Sequence, residues 1–115
     1  MKKASPRRYV IRAVIFQEGD WLCVQCLDYN LATQAKTLPR LNRVFQQLII
    51  GHIVVRLRHN QRPFEGLRRA PHKYWAMFER SKLPFPAQML NVNAHKNHGS
   101  IIARPIIRVA PLIAA

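Results

Sequence analysis

A short run of mostly apolar residues, of a length and composition typical of a β-strand, lies near the start of the chain. Residues 9–17 are rich in β-branched and aromatic side chains, and Glu-Gly-Asp at 18–20 supplies turn-forming residues. We therefore predict a hairpin whose second strand covers residues 21–27. Apolar side chains occupy both alternating sets of positions in that strand, so both faces of the sheet should be at least partly covered. A third, more exposed strand is predicted over residues 31–36.

The period of the apolar residues changes at Thr37, where a long helix is predicted to begin. Thr37 suits an N-cap, and Pro39 suits the first helical turn, where its missing N–H would have no partner. The apolar stripe that would pack on the sheet consists of Leu41, Val44, Phe45, Leu48, Ile49, His52 and Val55. The β-branched residues and the glycine of 49–55 would also suit a strand, so helix or strand stays open there. A continuous helix would be apolar almost all round in its second half, which favours self-association into a homodimer.

A basic segment, residues 56–73, follows the predicted helix and contains a single acid, Glu65. Pro71 can open a second helix over residues 71–82. Its aromatic face would be formed by Tyr74, Trp75, Met77 and Phe78.

The chain ends with a polar loop over residues 91–100 and a strand over residues 101–109, which Pro105 should keep at an edge of the sheet. The predicted fold class is therefore α+β. It comprises a three-stranded antiparallel sheet packed on a long helix, then a basic loop, a short helix and an edge strand. We expect a flexible basic arm over residues 1–8 and one domain over residues 9–115, because a chain of 115 residues has room for a single core.

The charge balance adds a partner to this picture. Nineteen Lys and Arg against five Asp and Glu give a net charge of +14, which a polyphosphate backbone would neutralise. We predict binding to nucleic acid, RNA more than DNA because no groove-reading motif is present, or to a ribonucleoprotein complex. An acidic protein surface is the alternative partner. The residues predicted to contact nucleic acid are Lys2, Lys3, Arg7, Arg8, Arg40, Arg43, Arg56, Arg58, Arg62, Arg68, Arg69, Lys73 and Trp75.

Two of these residues can also be explained without a ligand. Arg40 in a first helical turn opposes the helix dipole by about 0.3 to 1 kcal/mol, which suggests an anion at that end or a tolerated defect. Trp75 has the spacing of a buried helical face as well as a surface on which a base or a guanidinium group can stack.

Catalysis has little support in the composition. A two-metal nuclease needs three or four converging carboxylates, which five acids can hardly supply. No serine lies in the sequence context of a nucleophile elbow. We predict no catalytic residue and no cofactor. The five histidines leave a small histidine-dependent ribonuclease as a weaker alternative.

Cys23 and Cys26 form a C-x-x-C, but in a strand they would point to opposite faces, about 10 Å apart, too far for a disulfide or a shared metal. His95 and His98 do not complete a zinc pattern at their distance from the cysteines. Hence no metal site is predicted. Reduced thiols indicate a cytoplasmic protein, and no apolar run approaches the roughly 18 residues of a membrane span.

Four groups of residues carry a resemblance to a known family: YVI at 9–11, EGD at 18–20, WLCVQC at 21–26 running into LDY, and TQAKTL at 33–38 leading to Leu41 and Phe45. In this order they resemble the HicB-like antitoxins, which have a degraded RNase H-like fold. The resemblance covers under half of the chain. It implies a three-stranded antiparallel sheet with a following helix, and a non-catalytic, oligomer-prone binding module.

The chain also departs from this family. Ala35 stands for a glycine, Lys36 for an acid, and Arg40 and Asn42 stand where the family's helix begins with glutamates. The C-terminal DNA-binding appendage of the family is absent. An antitoxin-like inhibitor or accessory subunit that binds an acidic protein surface therefore remains the alternative to a nucleic-acid-binding module.

Overall fold

The computed structural model of the protein describes residues 7–93 and 99–111, and its first three strands form where the pattern of side chains predicts them. Strands β1 (Arg7–Glu18) and β2 (Trp21–Cys26) pair antiparallel across a tight turn. Gly19 in that turn has a φ of +60°, which costs glycine little because it has no Cβ. Strand β3 (Ala32–Ala35) pairs antiparallel with β2.

Helix α1 (Leu38–Arg58) is continuous through residues 49–55, where a strand was the other possibility. The Thr37 hydroxyl accepts a hydrogen bond from the Arg40 amide at 3.3 Å, which confirms the predicted N-cap. The buried residues Leu41, Phe45, Ile49 and Ile53 recur every four positions and pack on the sheet. The predicted stripe is wrong at its end, where Ile53 is buried and Val55 is 53% exposed. Burial of this stripe outweighs the weak preference of β-branched residues for strands, which amounts to a few tenths of a kcal/mol per residue.

Strand β6 (Ser100–Val109) lies inside the sheet, so the predicted edge position is wrong. It runs parallel to β1 on one side, and on the other side it pairs with β4 (Leu83–Phe85) and β5 (Leu90–Asn93). Among the described strands, residues 104–106 have no partner on that second side. Pro105, which lacks a backbone N–H, thus lies where β6 has no described hydrogen-bonded neighbour on that side, and an interior strand can accommodate it there.

Strands β4 and β5 were not predicted, and β5 begins before the expected polar loop over residues 91–100. Both are short, and β5 alternates buried Leu90 and Val92 with exposed Asn91 and Asn93 over four residues only. So brief an alternation is a weak signal in the sequence. Helix α2 (His72–Arg80) begins after Pro71 and is shorter at both ends than the predicted 71–82.

The complete sheet is mixed and has six strands in the order β3-β2-β1-β6-β4, with β5 also on β6. The α+β class is confirmed, whereas the predicted arrangement of three strands on one helix covers only part of it. Helix α1 packs on one face over the main core, and α2 packs on the other face against Val14, Leu27 and Ala110. Within residues 7–93 and 99–111, no helix combines the length and apolar character that crossing a membrane requires.

The predicted flexible arm over residues 1–8 is wrong at residues 7 and 8. Arg7 and Arg8 belong to β1, where they align with Ile101 and Ile102 of β6. Lys2 and Lys3 lie outside the described residues.

Gly51 offers a test of the continuous helix. It lies exposed in the interior of α1, and a Cβ added there would meet nothing within 4 Å. Gly51→Ala should therefore raise the free energy of unfolding by about 0.8 to 1 kcal/mol, because alanine loses less backbone entropy in a helix. Urea denaturation followed by circular dichroism measures this change. Gly19→Ala is the control and should be destabilising, and a loss of stability for Gly51→Ala would contradict the helix.

Candidate nucleic-acid interface

Phe64 anchors the middle of the basic segment to the core. Its side chain is 3% exposed, and its ring stacks on Tyr29 at 4.3 Å and on His52 at 4.9 Å between centroids, with Tyr9 edge-on at 5.1 Å. The Phe64 amide donates a hydrogen bond to Nε2 of His52 at 2.9 Å. The residue has a φ of +67°, an unfavourable conformation for a side chain of this size, which the surrounding contacts hold in place.

A second anchor fixes the segment just before α2. The backbone carbonyl of Arg68 accepts from the Asn30 amide at 2.7 Å, and the Ala70 amide donates to the carbonyl of Leu27 at 2.9 Å. Ala70 is itself buried. The exposed side chains of Arg62, Arg68 and Arg69 thus project from a backbone that is fastened at two points.

The C-terminal end of α1 adds further cations to this region. Arg56 donates from Nη1 to the carbonyl of Glu65 at 3.0 Å, and Arg58 is exposed. A small cavity of about 190 Å³ lies beside them, lined by Arg7, Leu57, Asn60, Gln61 and Arg62. Basic residues in a last turn also interact favourably with the helix dipole, so Arg56 and Arg58 have a structural role whether or not a ligand binds.

Trp75 contacts guanidinium groups. The guanidinium carbons of Arg69 and Arg12 lie 4.1 Å and 4.8 Å from the centre of its ring. Arg69, His72, Trp75 and Glu79 also line an open groove of about 620 Å³ on α2. The Trp75 ring was predicted to stack on a base or on a guanidinium group, and within the protein it contacts guanidinium groups.

Arg12 was missed by the sequence analysis. It donates from Nη2 to Oδ1 of Asp28 at 2.6 Å and from its backbone N–H to Oδ2 at 2.8 Å. The side-chain hydrogen bond raises the pKa of the Arg12 guanidinium. A charged residue in the middle of an otherwise apolar strand was the available signal. Arg104 and Arg108 of β6 lie on the same face of the sheet as Arg12. They are likewise charged residues in a mostly apolar strand and were also not predicted.

Positive charge in this structure is paired with aromatic rings more often than with acids. Within residues 7–93 and 99–111 the only ion pair joins Arg12 to Asp28. Lys36 lies over Trp21 at 4.1 Å, Lys73 over Tyr74 at 4.9 Å and Arg108 over Phe78 at 4.2 Å. A cation–π contact orients a cation without neutralising it. The charge therefore remains available to an anion.

The structure places seven of the thirteen predicted contact residues in two groups. Arg7, Arg56, Arg58 and Arg62 lie around the end of α1, and Arg69, Lys73 and Trp75 lie around the start of α2. Arg40 and Arg43 are exposed at the other end of α1, about 24 Å and about 20 Å along the helix from Arg56 at 1.5 Å per residue. A single small ligand cannot reach both ends.

Among the described residues, no group of three His, Cys, Asp or Glu side chains is arranged to hold a metal ion. Cys23 and Cys26 are both free and buried in β2. Burial raises the pKa of both thiols, to about 12 for Cys26. His95 and His98, the other half of the zinc pattern considered, lie outside the described residues.

The chain matches no protein-family model, and no curated protein or solved structure is similar to it. Its function must therefore be inferred from its own side chains. Those side chains form an exposed cationic surface, and such a surface is suited to binding an anion.

Protonation of His52 should destabilise the fold. Burial, and then the charge of Arg56, lower the pKa of His52 from its ordinary value of 6.5. Below pH 6.5 the unfolded chain therefore binds a proton at His52 more readily than the folded chain does. The contribution of neutral His52 to the free energy of unfolding is fully present above pH 6.5 and is lost as the pH falls towards the lowered pKa.

Urea denaturation at about pH 7.5 and 5.5, on either side of the ordinary histidine pKa, measures this loss. The control is His52→Gln, whose amide oxygen can still accept from Phe64. It should lose less stability over the same range, whereas an equal loss would assign the effect to other groups.

Neither cysteine should react as a thiolate in the folded protein. A disulfide reagent at about pH 8, near the ordinary thiol pKa, should modify both thiols only after unfolding in guanidinium chloride, because burial disfavours the charged form. The single variants Cys23→Ala and Cys26→Ala assign each reaction. Rapid modification of native protein, or protection by Zn²⁺, would contradict this account.

Proposed function

We propose that the protein is a non-enzymatic nucleic-acid-binding module, with RNA preferred, in which residues 56–73 contact phosphates. One observation carries this proposal: four of the five arginines of the segment are exposed, on a backbone that Phe64 and Ala70 fasten to the core. A preorganised surface loses less conformational entropy on binding than a loose loop does.

The charge of the segment supports a polyphosphate ligand. Glu65 is its single acid, and it makes no ion pair among the described residues. Neutralising several arginines with phosphates releases the counterions that condense on a nucleic acid, which is the main source of affinity at low salt. A ribonucleoprotein surface with exposed phosphates would be bound by the same chemistry.

We further propose that residues 9–55 form a HicB-like scaffold. The order of three antiparallel strands followed by a long helix is the order that the resemblance implies, and it supports this proposal. A scaffold of this kind also agrees with the second candidate function, an accessory or antitoxin-like subunit that binds an acidic protein.

The nucleic-acid proposal is tested by fluorescence anisotropy with a labelled RNA at several salt concentrations. The logarithm of affinity should fall steeply and linearly with the logarithm of salt, with a slope that indicates several phosphates. The variant Arg58→Gln/Arg62→Gln/Arg68→Gln should reduce that slope by about two to three, close to one for each phosphate that is no longer neutralised.

The matched control removes the same charge elsewhere. Lys36, Arg80 and Lys82 are exposed and lie outside the segment, so changing all three to Gln should alter the slope by less than about one. Equal effects of the two triple variants would show that net charge, not the segment, determines binding. The labelled RNA should also stay intact during the measurement, and its cleavage would contradict a non-enzymatic role.

A further inference from the structure

Residues 7–93 and 99–111 cover one face of the sheet only partly. Helix α2 packs over the end of β1, where Val14 and Phe16 belong to the smaller core cluster. Further along the same face, Val10 and Ile106 remain 48% and 38% exposed. Both side chains point away from α1, because their neighbours Ile11 and Ile107 are buried beneath that helix.

Arginine and aliphatic side chains alternate on this open face in both directions. The parallel register of β1 and β6 places Arg8 beside Ile102, Val10 beside Arg104, Arg12 beside Ile106 and Val14 beside Arg108. Neighbouring positions on the face are about 4.8 Å apart across the strands and about 6.6 Å apart along them. Each cation is thus bordered by apolar side chains, and each exposed apolar side chain is bordered by cations.

We propose that this open face, centred on Arg8, Val10, Arg104 and Ile106, binds single-stranded RNA. This inference rests on the proposed nucleic-acid function and assigns to it a second surface and a strand state. The arginines contact phosphates, and the aliphatic side chains between them contact base faces.

The alternation of charge with apolar surface selects single strands. In a duplex the base faces are stacked inside the helix, so Val10 and Ile106 would meet only sugars and phosphates. A single strand can turn its bases onto the sheet while its backbone follows the arginines. The preference for single strands over duplexes should therefore depend on the aliphatic residues, and the affinity for RNA on the arginines.

Charge also argues against a second copy of the chain on this face. Two such faces brought together would oppose Arg8 and Arg104 to like charges, which is unfavourable at an interface. The carboxylate of Asp28 is already bound by Arg12.

The 2′-hydroxyl of RNA has a partner beside the arginines. Asn91 of β5 is exposed and aligns with Ile102, so its amide points to the same open face. An exposed amide can both donate to and accept from a ribose hydroxyl, which deoxyribose lacks. We therefore assign the site to RNA and treat single-stranded DNA as a comparison.

The test compares two double variants that lose equal charge. Arg8→Gln/Arg104→Gln changes the open face, whereas Lys36→Gln/Lys82→Gln removes two exposed cations that lie outside it and outside residues 56–73. The probe is a labelled RNA of mixed sequence, about 12 nucleotides long, within the range that single-strand-binding domains occupy. The full chain is used throughout, and circular dichroism with thermal unfolding verifies that each variant is folded.

The first variant should weaken binding of the single strand by about tenfold or more, and the Lys36/Lys82 variant by less than about threefold. The unaltered protein should bind the single strand more tightly than an RNA duplex of the same sequence and than the matching single-stranded DNA. Val10→Ser/Ile106→Ser keeps the charge and should bring the affinities for single strand and duplex closer together.

Several results would overturn the inference, and they separate it from the proposed function. If the protein binds RNA but the two double variants behave alike, the open face is not the site while the nucleic-acid function stands. Equal affinity for the duplex removes the single-strand assignment, and equal affinity for DNA removes the RNA assignment. Competition by polyglutamate as strong as by RNA would indicate an acidic protein as the occupant. Absence of binding to every nucleic acid at low salt would overturn both proposals.

Discussion

The parallel pairing of β1 with β6 is the contact on which the rest of the structure depends. It aligns residues 7–15 with residues 101–109, and side chains along it, such as Ile11 and Ile101, are completely buried. Parallel strands cannot be joined by a tight turn, so the intervening chain must cross over the sheet. That crossing chain carries α1, the basic segment and α2, and the pairing therefore determines where every cationic surface lies.

The second constraint is the scarcity of acids, which shapes how the charges are arranged. With 19 Lys and Arg and five Asp and Glu, few arginines can be paired with carboxylates. Aromatic rings take over part of that role, as where Arg12 and Arg69 both contact Trp75. Each such contact contributes about 0.5 to 1 kcal/mol at an exposed site and leaves the positive charge in place. The fold thus orders its cations while keeping them able to bind an anion.

The cationic surfaces differ in how they are held. Residues 56–73 are fastened to the core through the buried ring of Phe64. The backbone N–H of Phe64 donates a hydrogen bond to His52, whose pKa is lowered by burial. The open face of the sheet needs no such anchor, because its arginines belong to paired strands. Local sequence features placed the first surface, and strand pairing placed the second.

The sequence by itself determined the elements whose signals are local. The hairpin of β1 and β2, the N-cap at Thr37 and the start of α1 follow from neighbouring residues, and the structure contains each of them. The stripe of α1 was predicted correctly at 41, 45 and 49 but not at its end, where 53 and not 55 is buried. The HicB-like resemblance stays a prediction. Only the tertiary structure decided that β6 is an interior strand, that β4 and β5 exist, and that Arg8, Arg12 and Arg104 share one face. The physical reason is that a strand's partner is chosen by contacts between distant parts of the chain, on which its own periodicity carries no information.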